Sequence, residues 1–223
     1  MILSAGERLL IDLADRHRVT IPEAIPVAAF SGQPVSRVVS RLVARELIRE
    51  VPLPGNRKAI ALDRKGASVL NLPPKRAALS SNIKAIGDTL ATTWHCCLSD
   101  AARFRLTFEE MRELIGAEPP KGPVFVLDTA ERVVNRIYVP GDTADALVLR
   151  QVGRWQRKAS KHQALAPALE SGELGITCLV GEPERVDDLA AKVRDTYPSL
   201  RASVAYAPPI ERLSEALTQR SAS

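Results

Sequence analysis

Residues 33–62, QPVSRVVSRLVARELIREVPLPGNRKAIAL, change their hydrophobic period once, and that change sets the architecture of the N-terminal part of the chain. Up to about Arg45 the apolar residues Val35, Val38, Val39, Leu42 and Val43 recur at the spacing of one helix face, with Pro34 near the first turn. The opposite side carries Gln33, Ser36, Arg37, Ser40 and Arg41. From Leu47 the pattern is that of strands. Residues 47–53 and 59–62 enclose PGNRK at 54–58, a basic, glycine-containing turn, so a two-stranded hairpin is expected. DRKGASVL at 63–70 then opens a short helix. Upstream, residues 4–16 place Leu9, Leu10, Leu13 and Ala14 at helical spacing, and Ser4 with Glu7 forms a capping-box pattern. Between them, Thr20 ahead of Pro22 and the apolar Ile25, Ala28 and Ala29 suit a short second helix, and Ser31 to Gln33 a turn.

Three helices followed by a two-stranded wing resemble the winged helix-turn-helix domains that bind DNA, over residues 4–72. The resemblance implies a third helix in the major groove. Arg37 and Arg41, one turn apart, would lie along the groove, with Gln33, Ser36 and Ser40 near base edges. Asn56, Arg57 and Lys58 of the wing would meet phosphate or the adjacent minor groove. The charge distribution agrees. The chain has 31 Lys and Arg against 26 Asp and Glu, a net +5, but residues 1–78 hold 13 bases and 7 acids, net +6, and the remainder 18 and 19, net −1. Such asymmetry points to a polyanionic partner for the first third. A protein-docking or dimerisation module is the alternative, and it would more often expose apolar side chains.

At 223 residues with 45% hydrophobic and 26% charged side chains, the chain is a globular protein of one large or two small domains. No window approaches the roughly 18 apolar residues of a membrane span, and MILSAGERLLIDLAD carries acids that a signal peptide would lack, so a cytoplasmic protein is expected. Cys96, Cys97 and Cys178 are too few for a disulfide framework or a four-ligand zinc site and read as buried free thiols. No metal or cofactor is expected.

LNLPPKRAALSSN at 70–82 has the composition of a boundary, with the break near residue 75. Helical stretches follow around 83–91 and 108–115, and WHCCLSDAARFRL at 94–106 fits no single period; Trp94, Cys96, Cys97 and Leu98 read as buried packing. From Gly122 the chain reads as strands at 123–129 and 132–140 joined at Ala130 and Glu131, then a long helix from Thr143 to about 172 with a bend or break at Pro167. A strand at 175–181, a helix opening near Pro183, a strand at 201–207 and a closing helix complete the order β-β-α-β-α-β-α. The expected fold class is α+β or α/β, with a winged helix at 1–74, a linker and helical connector at 75–121, and a mixed-sheet domain at 122–223.

His95 with Ser99 and Asp100, a strand ending in Asp128, a strand leading to a long helix, and the segment with Val180, Pro183, Glu184, Arg185, Val186, Leu189, Lys192 and Val193 together resemble the replication-relaxation family of plasmids and integrative elements. The resemblance implies a C-terminal domain similar to restriction-endonuclease-like nucleases. Such a nuclease needs an Asp on one strand and an acid-x-Lys triplet on the next, to hold Mg²⁺ and activate water. Asp128 fits the first place, but RIYVP at 136–140 contains no such triplet, and Asp142 falls after Pro140 and Gly141. The domain therefore reads as non-catalytic, with Asp128 as a turn residue; the alternative is a Mg-dependent nuclease using Asp128 and Asp142.

His17, His95 and His162 lack a spaced partner pattern, and neither a P-loop nor GxGxxG occurs. In the long helix Arg150, Arg154 and Lys158 step by four, joined by Arg157 and Lys161, while Val148, Leu149, Val152 and Trp155 suit packing on the sheet. That stripe reads either as a secondary DNA or partner face or as a solvated one. The expected function is a non-catalytic double-stranded DNA-binding protein of a mobile element, a transcription regulator or a relaxosome accessory in plasmid conjugation and mobilisation. The partners it implies are duplex DNA, a second copy reading a paired half-site, and a relaxase or other DNA-processing protein, with no membrane.

Overall fold

A computed structural model describes residues 2–25, 30, 33–79, 82–99 and 101–221. The protein is mixed α+β and divides into two compact units, Met1–Leu98 with Pro209–Ser223, and Ser99–Pro208.

In the first unit α1 (Ala5–His17) begins at a completed capping box: Ser4 Oγ accepts the Glu7 N–H at 3.2 Å, and the Glu7 carboxylate accepts the Ser4 N–H at 2.8 Å. Its apolar stripe buries Leu10, Ile11 and Ala14 completely. α2 (Val35–Ala44) buries Val38, Val39 and Leu42 in the same cluster, each such side chain contributing about 1.5–3 kcal/mol. β1 (Ile48–Pro52) and β2 (Lys58–Leu62) form the expected antiparallel hairpin, registered from Ile48↔Leu62 to Pro52↔Lys58. Thr20 pairs with Ile60 through reciprocal N–H···O bonds of 2.9 and 2.7 Å, which covers the second edge of β2 and helps explain why Ala59 to Leu62 are all buried.

α3 (Arg64–Val69) is capped by Asp63, and α4 (Ile83–Cys97) buries an unbroken run from Leu90 to Cys96. Of the expected second helix, Pro22–Ala24 is a 3-10 turn, and Ala28 and Ala29 lie outside the described residues. The unassigned segment at 94–106 splits. Trp94 and Cys96 complete α4, whose Thr93 hydroxyl donates to the Val19 carbonyl at 2.9 Å, and Arg103–Arg105 forms a short strand in the other unit. The expected connector at 75–121 is thus divided between the two units. The closing helix α9 (Leu213–Ser221) rejoins the first unit rather than the expected C-terminal domain, because Ser214 Oγ accepts Arg57 Nε at 2.8 Å and Ile210 packs beside Gly87 of α4.

In the second unit β3 (Arg103–Arg105), β4 (Val124–Asp128), β5 (Val133–Tyr138), β6 (Leu174–Val180) and β7 (Ala202–Tyr206) lie in that spatial order. β3, β4 and β5 are antiparallel; β5, β6 and β7 are parallel. α5 (Phe108–Ile115) enters through a second capping box, Thr107 with Glu110. The parallel crossovers run through α6 (Asp145–Ala159) with α7 (Ala166–Glu170), and through α8 (Arg185–Thr196).

The core of this unit joins Phe125, Val134, Ile176, Cys178 and Val180 of the sheet to Val148, Val152 and Trp155 of α6 and Leu189 and Val193 of α8. β6 is buried along its whole length, as a central strand should be. At Gly175 a Cβ would come within 2.6 Å of both the Arg201 carbonyl and Asn135 Oδ1, so only glycine fits. The long helix expected from 143 ends at Ala159, eight residues before Pro167. Pro167 instead opens α7, where its missing N–H costs nothing. Among the described residues no helix is long and apolar enough to cross a membrane.

Candidate nucleic-acid interface

The basic excess expected in the first third stays with the first unit, which holds 16 Lys and Arg against 10 Asp and Glu, net +6; the second holds 15 against 16, net −1. On α2, Ser36, Arg37, Ser40 and Arg41 are exposed, preceded by exposed Gln33. The five therefore form one outward surface, opposite Val38, Val39 and Leu42.

Within that surface the cations differ. Arg37 has no ion pair or side-chain hydrogen bond among the described residues. Arg41 donates from Nε to Glu7 Oε1 at 2.9 Å, and Arg45 donates from Nη1 to the same oxygen at 2.9 Å. Glu7 is only 5% exposed. Burial pushes its carboxyl up, but the Ser4 N–H and the Arg41 and Arg45 guanidinium groups outweigh burial and hold it below the ordinary carboxylate range. One carboxylate thus caps α1 and ties it to α2, and Arg41 is a tether as well as a surface cation.

The hairpin tip is more constrained than its sequence implies. Gly55 and Asn56 turn the tip with φ of 72° and 57°. Arg57 donates to Glu23 Oε1 at 2.5 Å as well as to Ser214, and Lys58 donates to Glu50 across the hairpin at 2.6 Å. Asn56 is the candidate left exposed without a partner at the tip among the described residues. Other cations of this unit hold the fold. Arg76 grips Asp15 through Nε at 3.0 Å and Nη2 at 2.8 Å, Arg49 donates to the Ala77 carbonyl at 2.7 Å, and Arg18 to the Ala78 carbonyl at 2.9 Å. Arg18, Arg41, Arg45, Arg49, Arg57, Lys58 and Arg76 are thereby all held by partners within the unit.

On α6 the pattern is the reverse. Arg150, Arg154, Arg157 and Lys158 are exposed, as is Lys161 on the turn that follows, and none of the five has an ion pair or side-chain hydrogen bond among the described residues. Val148, Val152 and Trp155 are buried as expected, with Leu149 partly buried.

The two acids of the nuclease alternative do not come together. Asp128 ends β4 at the turn into β5, pairs through Oδ2 with Arg103 Nε at 3.0 Å, and accepts the Ala130 and Glu131 N–H groups at 3.1 and 3.2 Å. That is the work of a turn-forming aspartate. Asp142 lies beyond the other end of β5, whose six residues span roughly 17 Å, whereas a shared Mg²⁺ needs both carboxylates at about 2 Å. No group of three or more His, Cys, Asp or Glu able to hold a metal occurs among the described residues.

The carboxylate that carries electrostatic weight in this unit is Asp145, which sequence reading passed over. It opens α6 and accepts Arg185 at 2.6 and 2.9 Å and Lys192 at 2.9 Å; Arg185 also donates to the Thr143 and Gly141 carbonyls. Lys192 and Arg185 hold the Asp145 carboxyl below its ordinary range. Arg185 and Lys192 belong to the segment that prompted the family resemblance. The Pro183 and Lys192 spacing was visible in the sequence, but its partner 40 residues upstream was not.

Of the other candidates, Cys96 and Cys178 are buried free thiols and Cys97 is half-buried, its Sγ 3.5 Å from His17 Nε2. His17 and His95 are buried and Asp100 lies outside the described residues. Comparison with protein-family models, curated proteins and solved structures finds no match to this chain.

Proposed function

We propose that the chain is a double-stranded DNA-binding protein whose first unit is a winged helix reading the major groove with α2. The observation that carries this reading is the outward surface of Ser36, Arg37 and Ser40, hydrogen-bonding side chains on a helix whose other side is sealed into the core, with exposed Gln33 just ahead of it. Arg37 supplies the bidentate donor that pairs with guanine, and Gln33, Ser36 and Ser40 supply shorter donors and acceptors for neighbouring base edges. Arg41, with Nε committed to Glu7, keeps its terminal nitrogens for a phosphate. A docking role for α2 would call for exposed apolar groups, and Ala44 is the apolar residue exposed on this helix.

Three antiparallel strands followed by two parallel crossovers support a distant likeness of the second unit to restriction-endonuclease-like domains, without their acid-x-Lys triplet. In this reading the unit is non-catalytic. The sequence resemblance to replication-relaxation proteins supports a further part of the proposal: a role on a mobile element, as a transcription regulator or relaxosome accessory, with a second copy completing a paired site. Selection of bound fragments from a genomic duplex library tests it. An enriched sequence beside a promoter or transfer origin supports the proposal; recovery of fragments with no shared sequence overturns it.

A further inference from the structure

We propose that the outer face of α6 is a second, sequence-independent docking surface for the phosphate backbone of duplex nucleic acid, acting whether or not α2 reads bases. Arg150, Arg154, Arg157, Lys158 and Lys161 place five positive charges within twelve residues, and on the helix a rise of about 1.5 Å per residue puts Arg150 and Lys158 roughly 12 Å apart. Over that length one DNA strand presents about three to four phosphates. Within this unit, whose net charge is −1, the stripe is a local reversal of sign.

Its cations are unpaired for a physical reason. The acid of α6, Asp145, sits in the first turn on Arg185 and Lys192, and the nearest acid of α8 in that network, Asp188, is also held by Lys192 at 2.5 Å. No carboxylate among the described residues neutralises the stripe, so its field extends into solvent over about a Debye length.

The side chains also select the class of polyanion. Single strands are held on aromatic platforms, and Trp155, the aromatic of α6, is 5% exposed in the core with its ring 5.9 Å from the Arg136 guanidinium. An acidic protein surface would want an apolar anchor at the centre of the patch, whereas the exposed apolar residues of this helix, Ala146 and Leu147, lie at its start. Three arginines among the five favour planar phosphate contacts, and Gln151 on the same face adds a neutral donor. A backbone contact of this kind carries no sequence information.

The test is the salt dependence of binding by the full chain to a duplex of random sequence. R150Q/R154Q/K158Q removes three exposed charges without removing any partner, so its thermal midpoint should match that of the parent. The slope of log K against log salt should become shallower by about 0.9 for each lost phosphate contact, roughly 2.7 in all, with affinity at low salt falling tenfold or more. Arg37→Ala should leave that slope within about one unit, so loss of the α2 reading and loss of this one register separately. An unchanged slope and affinity in the triple variant would overturn the proposal, as would an equal loss in a charge-matched control at Arg64, Lys65 and Lys75 of the first unit.

Discussion

Glu7→Gln isolates the tether between α1 and α2. The native carboxylate is acceptor only, taking Arg41 Nε and Arg45 Nη1 on Oε1 and the Ser4 N–H on Oε2. A glutamine amide offers one acceptor and one NH₂, so whichever way it turns it sets donor against donor, either toward the two guanidinium groups or toward Ser4. A charged hydrogen bond contributes about 1.5–3 kcal/mol when buried. The Arg41 and Arg45 side chains are 43% and 30% exposed, and solvent screening brings each to about 1 kcal/mol. Losing part of the capping box adds about 0.5–1 kcal/mol. The total of about 2–3 kcal/mol should lower the thermal midpoint by roughly 5–10 °C for a chain of this size.

Circular dichroism at neutral pH measures this loss, and the difference between parent and variant has a pH signature. Because the folded Glu7 carboxyl lies below its ordinary range, its contribution is complete at neutral pH and disappears as pH falls through the acid range below about 4. Parent and variant should therefore converge on acidification. A fall of less than 1 °C at pH 7, or a difference that persists unchanged to pH 3, refutes the reasoning. The same substitution removes a negative charge beside α2 and releases Arg41. Duplex affinity at a temperature where both proteins are folded should rise rather than fall.

Gly153→Ala should destabilise by about 1–3 kcal/mol, since its Cβ would overlap the Tyr197 hydroxyl that donates to the Leu149 carbonyl at 2.7 Å; urea denaturation with and without Tyr197→Phe should give a smaller penalty in the Phe background. Asp145→Asn should lower the urea midpoint at pH 7, with the loss shrinking as pH falls below the ordinary aspartate range, because Lys192 and Arg185 favour the ionised form; an equal midpoint at pH 7 would contradict the clamp. Burial raises the Cys97 and Cys178 thiols to about 11 and about 12, so at pH 8 a thiol reagent should label both slowly until denaturant is added, and rapid labelling of either in the folded protein would contradict their burial.

What the sequence made legible was local. α2 and the hairpin were readable because Val38, Val39 and Leu42 repeat at helical spacing and Pro54 with Gly55 interrupts two apolar runs. The partners of the charged side chains were not, because Glu7 and Arg41 are 34 residues apart and Arg57 and Ser214 are 157 apart. A cation at a hairpin tip looks the same in sequence whether it faces a phosphate or the Glu23 beside it. β3 escaped because three residues are too few to establish a period. The break after Ala159 carries no Gly or Pro to mark it, whereas Pro167, the breaker that the sequence does offer, opens α7. The apolar face of α9, with Leu213, Ala216 and Leu217, predicted burial but could not say in which core.

The most direct test of the account compares the parent and Arg37→Ala on a selected duplex site and on a scrambled duplex of equal length, at the same salt. An arginine paired bidentately with guanine contributes about 1–3 kcal/mol of discrimination. The account predicts that Arg37→Ala loses roughly 5- to 150-fold in affinity on the selected site and little on the scrambled one, with an unchanged thermal midpoint. An equal loss on both duplexes, or none on either, would contradict base reading by α2.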